Sequence, residues 1–356
     1  MESIGLSFTL EPVEKILASK YVKSYKTLSN KELLQEDRIL NSSFADKSLI
    51  KDLLDSKFYL HDNISAYSKY RDKIIPKNHK FLGNHYKYHT YIKLIQTFIL
   101  CGIDKKNIKS FYDICGAPGE WARSLLKECP INQGYAISLV DGDIPYDKEI
   151  LTNKKLTIIS PKDGNIYKIK NLKESISKIG RVDLVCCDGG FCLKSFNIKE
   201  SLQSLAHLHL IFAEFIYGLY FTKIEKGIFI CKVFDLLDDI TIQLLMCATL
   251  FYKYVKIVKP KESRMLNGEK YLVCQGLEYN DENNRLKNKL INLLVKCQNS
   301  NPGEIFKKKL MKDKYIKNFK ESLININNVL MKKQSNEIYG VVNLCKKKME
   351  NEFKNK

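Results

Sequence analysis

Apolar and polar positions fall into three textures along the chain. From residue 1 to about 80 the sequence is charged, with short apolar groupings at Leu33-Leu34, Ile50 and Leu53-Leu54 whose spacing predicts several short helices. Pro76 and Gly83 punctuate the end of this stretch. From about 85 to 280, β-rich apolar runs alternate with amphipathic segments, the signature of a mostly parallel sheet flanked by helices. The runs predict strands over Phe111 to Cys115, Gly134 to Leu139, Leu156 to Ser160, Val182 to Cys187, Gly227 to Val233, Tyr254 to Val258 and Tyr271 to Cys274. Helices are predicted over Tyr88 to Cys101, Trp121 to Lys127, Ile198 to Thr222 and Asp239 to Tyr252. The last two strands, joined by a short polar connection, predict an antiparallel pair closing one sheet edge. From 281 to 356, Ile, Leu and Val recur at helical spacing among lysine runs such as Lys307-Lys-Lys309 and Lys346-Lys-Lys348. The chain thus divides into a helical N-terminal extension (1–84), an α/β domain (85–280) and a basic helical C-terminal extension (281–356).

Composition sharpens this picture. Hydrophobic residues at 44% and charged residues at 28% are the balance of a globular chain, and 356 residues suffice for a large core. The net charge of +19 points to a polyanion, nucleic acid first. The third zone carries 18 Lys/Arg against 8 Asp/Glu, more than half of that excess. Helices packed by an apolar face, with a basic outer face for phosphates, account for it. The eleven cysteines include no Cys-x-x-Cys pair and sit mostly in apolar runs, as buried thiols in a reducing compartment do. The start lacks a signal-peptide pattern, and the most apolar stretch, Leu205 to Phe221, is interrupted by His207, His209 and Glu214. The expectation is an intracellular, cytoplasmic protein with no membrane partner.

Four motifs carry candidate chemistry. In Phe111-Tyr-Asp-Ile-Cys-Gly-Ala-Pro-Gly-Glu-Trp121 a strand ends at Asp113 and a small-residue loop leads into a helix, a ligand-cradling device of open α/β sheets. The spacing is not Gly-x-Gly-x-x-Gly, and Pro118 removes an amide that a pyrophosphate would need. Val182-Asp-Leu-Val-Cys-Cys-Asp-Gly-Gly-Phe191 delivers Asp188 to a strand end. Gly227-Ile-Phe-Ile-Cys-Lys-Val-Phe-Asp235 holds Lys232 in a run too apolar for a solvated lysine, so its charge is paired or its pKa lowered. Asn267-Gly-Glu-Lys-Tyr-Leu-Val-Cys-Gln275 places Glu269 at the start of the final strand.

Together these motifs resemble the FtsJ-like RNA 2′-O-methyltransferases over roughly residues 85 to 280. Asp188-Gly-Gly-Phe191, Cys231-Lys-Val-Phe-Asp-Leu236 and Lys259-Pro-Lys-Glu-Ser-Arg264 resemble most the cap-specific mRNA (nucleoside-2′-O-)-methyltransferases of eukaryotes and large DNA viruses. The resemblance implies a Rossmann-like S-adenosylmethionine-dependent methyltransferase fold, a mostly parallel seven-stranded sheet with an antiparallel last strand. It also implies a Lys-Asp-Lys-Glu tetrad without a metal: Lys232 as general base, Asp188 and Glu269 orienting the amines, and a first lysine on the helix before the loop. Lys87 and Lys93 compete for that place, and Tyr91-Ile-Lys-Leu94 favours Lys93. By the same resemblance Asp113, Cys115, Gly116, Ala117, Pro118, Gly119 and Trp121 hold the methionine end of S-adenosylmethionine. Asp141 faces the ribose, and Asn165 or its rival Asp163 faces the adenine. Glu120 and Asn165 depart from the family pattern, and Glu120 is a second candidate for the cofactor's amine. The RNA entrance falls to Lys87, Lys194, Ser263 and Arg264, with Tyr86, Tyr88 and His89 beside them. The implied partners are capped mRNA and other capping or transcription proteins. A ribosomal RNA substrate, or a non-catalytic RNA-binding subunit of the same fold, are the rival readings, and the two extensions favour capped mRNA.

Overall fold

A computed structural model of the chain describes residues 4–13, 37–74, 89–142, 144–193, 200–297 and 316–354. Its centre is an eight-stranded sheet of β1 (Gly5–Thr9), β2 (Ser110–Ile114), β3 (Gln133–Ile137), β4 (Leu156–Ile158), β5 (Leu184–Cys187), β6 (Ile228–Val233), β7 (Tyr252–Pro260) and β8 (Lys270–Leu277). The order across the sheet is β1-β7-β8-β6-β5-β2-β3-β4. β4, β3, β2, β5 and β6 run parallel, and β8 is antiparallel to both β6 and β7. The chain moves outward from β2 through β3 and β4, then returns to lay β5 on the other flank of β2. That reversal opens a crevice at the carboxyl ends of β2 and β5, where ligands bind in such sheets. Both faces are covered, so β5 (Leu-Val-Cys-Cys) is buried along its whole length, as the continuous apolar run predicts.

The described helices are α1 (Lys47–Asp62), α2 (Ile64–Ile74), α3 (His89–Cys101), α4 (Glu120–Glu128), α5 (Ile169–Lys178), α6 (Leu208–Phe221), α7 (Asp239–Phe251), α8 (Asp281–Cys297) and α9 (Lys317–Lys354), with shorter turns between. α6 and α7 are apolar almost all round and sit in the middle of the molecule. The helix expected from 198 to 222 has its first two residues outside the described ones, and breaks at His207 into a short turn and α6. There the His207 ring lies 2.9 Å from the Gln203 carbonyl and accepts from the Phe191 amide.

Three expectations need correction. The sheet has eight strands rather than seven, because residues 5–9 pair antiparallel with β7, so the N-terminal extension is not wholly helical. Five alternating residues carry no signal of their own; the free edge of β7 recruits them. The β7–β8 pair therefore does not end the sheet. The two terminal extensions meet in space: α9 packs along α1 and α2, with Ala66, Tyr70, Ile338, Val341, Val342 and Cys345 in their shared core. α9 keeps the expected division, burying that stripe while exposing Lys347 and Lys348. Leu33, Leu34 and the run at 307–309 lie outside the described residues. Among the described residues no helix is long and apolar enough to cross a membrane.

Candidate active site

Lys93, Asp188, Lys232 and Glu269 converge where the ends of β5 and β6 meet α3 and the start of β8. Cys187 and Cys231 are register partners, which sets Asp188 beside Lys232. Lys232 in turn pairs with Tyr271 on β8, so their side chains leave one face. The Lys232 Nζ donates to the Asp188 main-chain oxygen at 2.8 Å and lies 3.3 Å from its Oδ1. Lys93 Nζ is 2.7 Å from Glu269 Oε1. The Tyr271 hydroxyl lies 3.2 Å from Asp188 Oδ1 and 3.2 Å from Glu269 Oε1, joining the two ion pairs through one phenol. Each of the four charged side chains keeps between 12% and 15% of its surface exposed, so a substrate can reach them.

Burial alone would lower the Lys232 pKa. The carboxylates of Asp188 and Glu269 outweigh it and hold the amine above the usual lysine value. Burial would likewise raise Glu269, but Lys93 and then Lys232 hold it below the usual carboxylate range. Of the two options the sequence leaves for Lys232, the fold takes the paired charge.

Beside this group, β2 ends and Cys115 enters the left-handed region with φ 57°, turning the chain into the Gly116–Gly119 loop. A Cβ on Gly116 would collide with the Asp113 carboxylate, so the loop needs glycine there. The resulting pocket of about 90 Å³ is lined by Thr90, Asp113, Cys115, Gly116, Trp121 and Asp188 among others. Asp113 is fully buried, and its Oδ2 has no hydrogen-bond partner among the described residues. Burial, then the Asp188 charge, pushes its carboxyl up to about 8. An orphaned carboxylate oxygen facing a glycine loop fits a ligand ammonium, as an amino-acid end would supply. Trp121 ties pocket to tetrad: its Nε1 donates to the Thr90 carbonyl at 2.9 Å, and its ring lies 5.5 Å from that of Tyr271.

The family model described as FtsJ-like methyltransferase matches residues 86–277. The chain belongs to this family. A cap-specific mRNA (nucleoside-2′-O-)-methyltransferase 1 of Leishmania braziliensis is 25% identical over 236 residues, covering 59% of this chain and 58% of the relative. The protein of the same name from Trypanosoma cruzi is 31% identical over 180 residues, covering 48% and 49%. A cap-specific mRNA (nucleoside-2′-O-)-methyltransferase of Autographa californica nuclear polyhedrosis virus is 32% identical over 185 residues, covering 49% and 69%. The chain spans about half the length of the first two relatives.

Within the FtsJ-like domain the remaining candidates are less convergent. Asp141 is exposed next to exposed Leu139 and Val140. Asp163 is engaged by Lys168 at 3.0 Å and Lys170 at 3.1 Å. The Asn165 side-chain oxygen already accepts from the Tyr167 amide at 2.9 Å. Glu120 lines the pocket wall but is paired with Arg123, which also holds Asp147 at 2.9 Å. Ala117 and Pro118 shape the loop, and the Pro118 carbonyl accepts from the Asp147 amide. Ser263, expected at the RNA entrance, is instead 1% exposed and turned inward, its Oγ 3.4 Å from the Glu269 carbonyl. Arg264 stays partly exposed at a φ of 55°. Lys87, Lys194, Tyr86 and Tyr88 lie outside the described residues, and so does the His89 side chain.

Sequence reasoning missed Tyr271, although its separation of two from Glu269 puts both on one strand face. It also missed Glu214, the acid in an otherwise apolar helix. Glu214 is fully buried, accepts from the Gly189 amide at 3.2 Å and from the Cys231 thiol at 3.3 Å, and is pushed by burial up to about 8. The sequence implies no ligand cluster, yet Cys187, Glu214 and Cys231 bring donor atoms within 4.8 Å of one another. Burial pushes both thiols up, Cys231 to about 11. In this arrangement the Cys231 thiol serves as a hydrogen-bond donor to the Glu214 carboxylate.

Proposed function

We propose that this chain transfers a methyl group from S-adenosylmethionine to a ribose 2′-hydroxyl of RNA, and that its substrate is a cap-proximal nucleotide of mRNA. The observation that carries this reading is the line Lys93–Glu269–Tyr271–Asp188–Lys232 beside the Asp113 pocket. Family membership supports methyl transfer, and the names of the relatives support the cap. A net charge of +19 suits an RNA ligand.

When bound, S-adenosylmethionine supplies an electrophilic methyl group on a sulfonium. Asp113 and the Gly116–Gly119 loop would hold its amino-acid end, and Asp188, which lines the same pocket, would face its positive charge. Lys232 takes the proton of the attacking hydroxyl. At rest it is charged, because Asp188 and Glu269 raise its pKa, so it must first release a proton to the solvent that reaches its partly exposed side chain. A cation alongside Asp188 weakens that carboxylate's hold on Lys232 and lowers the amine's pKa. Lys93 keeps Glu269 engaged at 2.7 Å, and Tyr271 fixes the two carboxylates relative to each other. Arg264 offers a guanidinium to the RNA backbone.

Mass spectrometry of a short capped transcript incubated with S-adenosylmethionine tests the reading. One added methyl on the ribose of a cap-proximal nucleotide is expected, and none with Lys232→Ala. If wild type and variant both bind RNA and neither transfers a methyl, the chain is an RNA-binding subunit. Equal methylation of capped and uncapped transcripts would remove the cap from the proposal.

A further inference from the structure

Glu269 is held from behind by a buried network that begins outside the FtsJ-like region. In α1, Lys57 Nζ donates to Asp235 Oδ2 at 2.6 Å. The other oxygen of Asp235 accepts from Lys270 Nζ at 3.0 Å, and the same amine donates to the Gly268 carbonyl at 2.7 Å. A Cβ on Gly268 would stand 2.9 Å from Asp235 Oδ1, so the Asn267-Gly268 turn lies directly on this carboxylate. On the other side Lys259 Nζ donates to the Asn267 carbonyl at 2.7 Å, its side-chain oxygen at 2.8 Å and the Glu269 carbonyl at 2.7 Å. Burial and the Lys270 charge pull the Lys259 pKa well down, yet three close oxygens match the three N–H donors of an ammonium.

The helices beyond the catalytic domain grip the same two loops. Asn327 in α9 donates to the Leu236 carbonyl at 2.8 Å, just past Asp235, and Gln334 donates to the Leu266 carbonyl at 3.2 Å, just before the turn. The Leu266 side chain is seated among Ala66, Tyr70, Ile338 and Val341. Among the described residues, Lys57 is the charged contact on Asp235 from the helical side. Burial would raise the Asp235 carboxyl, but Lys57 and Lys270 together hold it far below the usual range. A buried ion triad adds little net stability over apolar packing, but removing one member leaves an uncompensated buried charge that the surrounding loops must move to relieve.

We propose that Lys57 is a positioning residue: through Asp235 and Lys270 it fixes the Asn267–Glu269 turn, and with it the Glu269 carboxylate that faces Lys93. The proposal rests on Glu269 belonging to the reactive centre.

The test uses the full chain with Lys57→Met, Lys57→Arg, Asp235→Asn and the Lys57→Met/Asp235→Asn pair, assayed for methyl transfer to capped RNA. Lys57→Met should lower kcat by about 10- to 100-fold, the scale of a small misplacement of a reacting group. The KM values for RNA and S-adenosylmethionine should stay within about twofold, since uniform binding is untouched. Lys57→Arg should restore most of the loss. The double variant should be no slower than Asp235→Asn alone, because the two residues act in one line. A readout independent of turnover is the emission of Trp121, the chain's single tryptophan, whose ring neighbours Tyr271. Lys57→Met should make it more accessible to acrylamide, and Lys57→Arg should reverse this. Wild-type kcat and quenching in Lys57→Met would overturn the proposal, as would a loss that Lys57→Arg does not restore. If Lys57→Met does not fold, Lys57→Arg and Asp235→Asn carry the comparison, and wild-type values in Asp235→Asn overturn it. A wild-type chain that transfers no methyl overturns the methyltransferase reading alone; the Trp121 measurement then decides whether Lys57 positions the turn.

Discussion

Tyr271 stands between two carboxylates, with its hydroxyl 3.2 Å from Asp188 and 3.2 Å from Glu269. One proton is thereby shared by the partners of both lysines. Removing it with Tyr271→Phe keeps the ring against Trp121 and deletes only the bridge. A hydrogen bond to a charged group is worth about 1.5–3 kcal/mol, so a single-turnover rate about 10- to 100-fold lower is expected. An unchanged rate would mean that the two ion pairs act independently.

Asp113 predicts how cofactor affinity depends on pH. Its carboxyl is pushed up to about 8 by burial and the Asp188 charge, so the free protein holds it largely neutral near pH 7. Pairing with a ligand ammonium favours the carboxylate, hence binding expels a proton and tightens as pH rises towards 8. Calorimetry in buffers of different ionisation enthalpy measures that proton release. Asp113→Asn should abolish it and weaken binding about tenfold or more. Equal proton release in the variant would place the ligand's ammonium elsewhere.

Glu214 makes a prediction about stability. Its carboxyl rises from 4.5 to about 8 on burial, so the folded state binds this proton more tightly than the unfolded one. Stability therefore falls as pH increases between those two values, the reverse of a salt-bridged carboxylate. Glu214→Gln keeps an acceptor for the Gly189 amide and carries no charge. Its melting temperature should fall less steeply than that of the wild type from about pH 5 to 8. Identical slopes would show that another group controls the dependence.

Arg264 is expected to read phosphate rather than sequence. Arg264→Ala should weaken capped-RNA binding across sequences and reduce the slope of log affinity against log salt by about 1. A salt series by fluorescence anisotropy provides the slope, and an unaltered slope removes Arg264 from the RNA path.

Much of the sheet was legible because its interior strands are continuous apolar runs; β5 and β6 announce themselves, and so do the residues at their ends. Asp188 and Lys232 could be named for that reason. Lys93 needed the family pattern to separate it from Lys87. Tyr271 was passed over because its meaning lies in register: only pairing with Lys232 across β6 and β8 brings its hydroxyl to both carboxylates. Ser263 illustrates the opposite error. The family resemblance set it at the RNA entrance, yet Lys259 draws the whole turn inward, reaching the Ser263 carbonyl at 3.4 Å. The Lys57–Asp235 pair spans 178 positions of sequence, a distance over which no local pattern operates.

The strand formed by residues 5–9 has a consequence for how the chain behaves in company. Without it, the five residues of β7 from Lys256 to Pro260, with Ile257 and Val258 among them, would offer an unpaired ladder of amides and carbonyls at the rim of the sheet. Such a rim is a template for strands of other molecules. The first few residues thus act as a molecular hem, closing the fabric where it could otherwise be stitched to a neighbour.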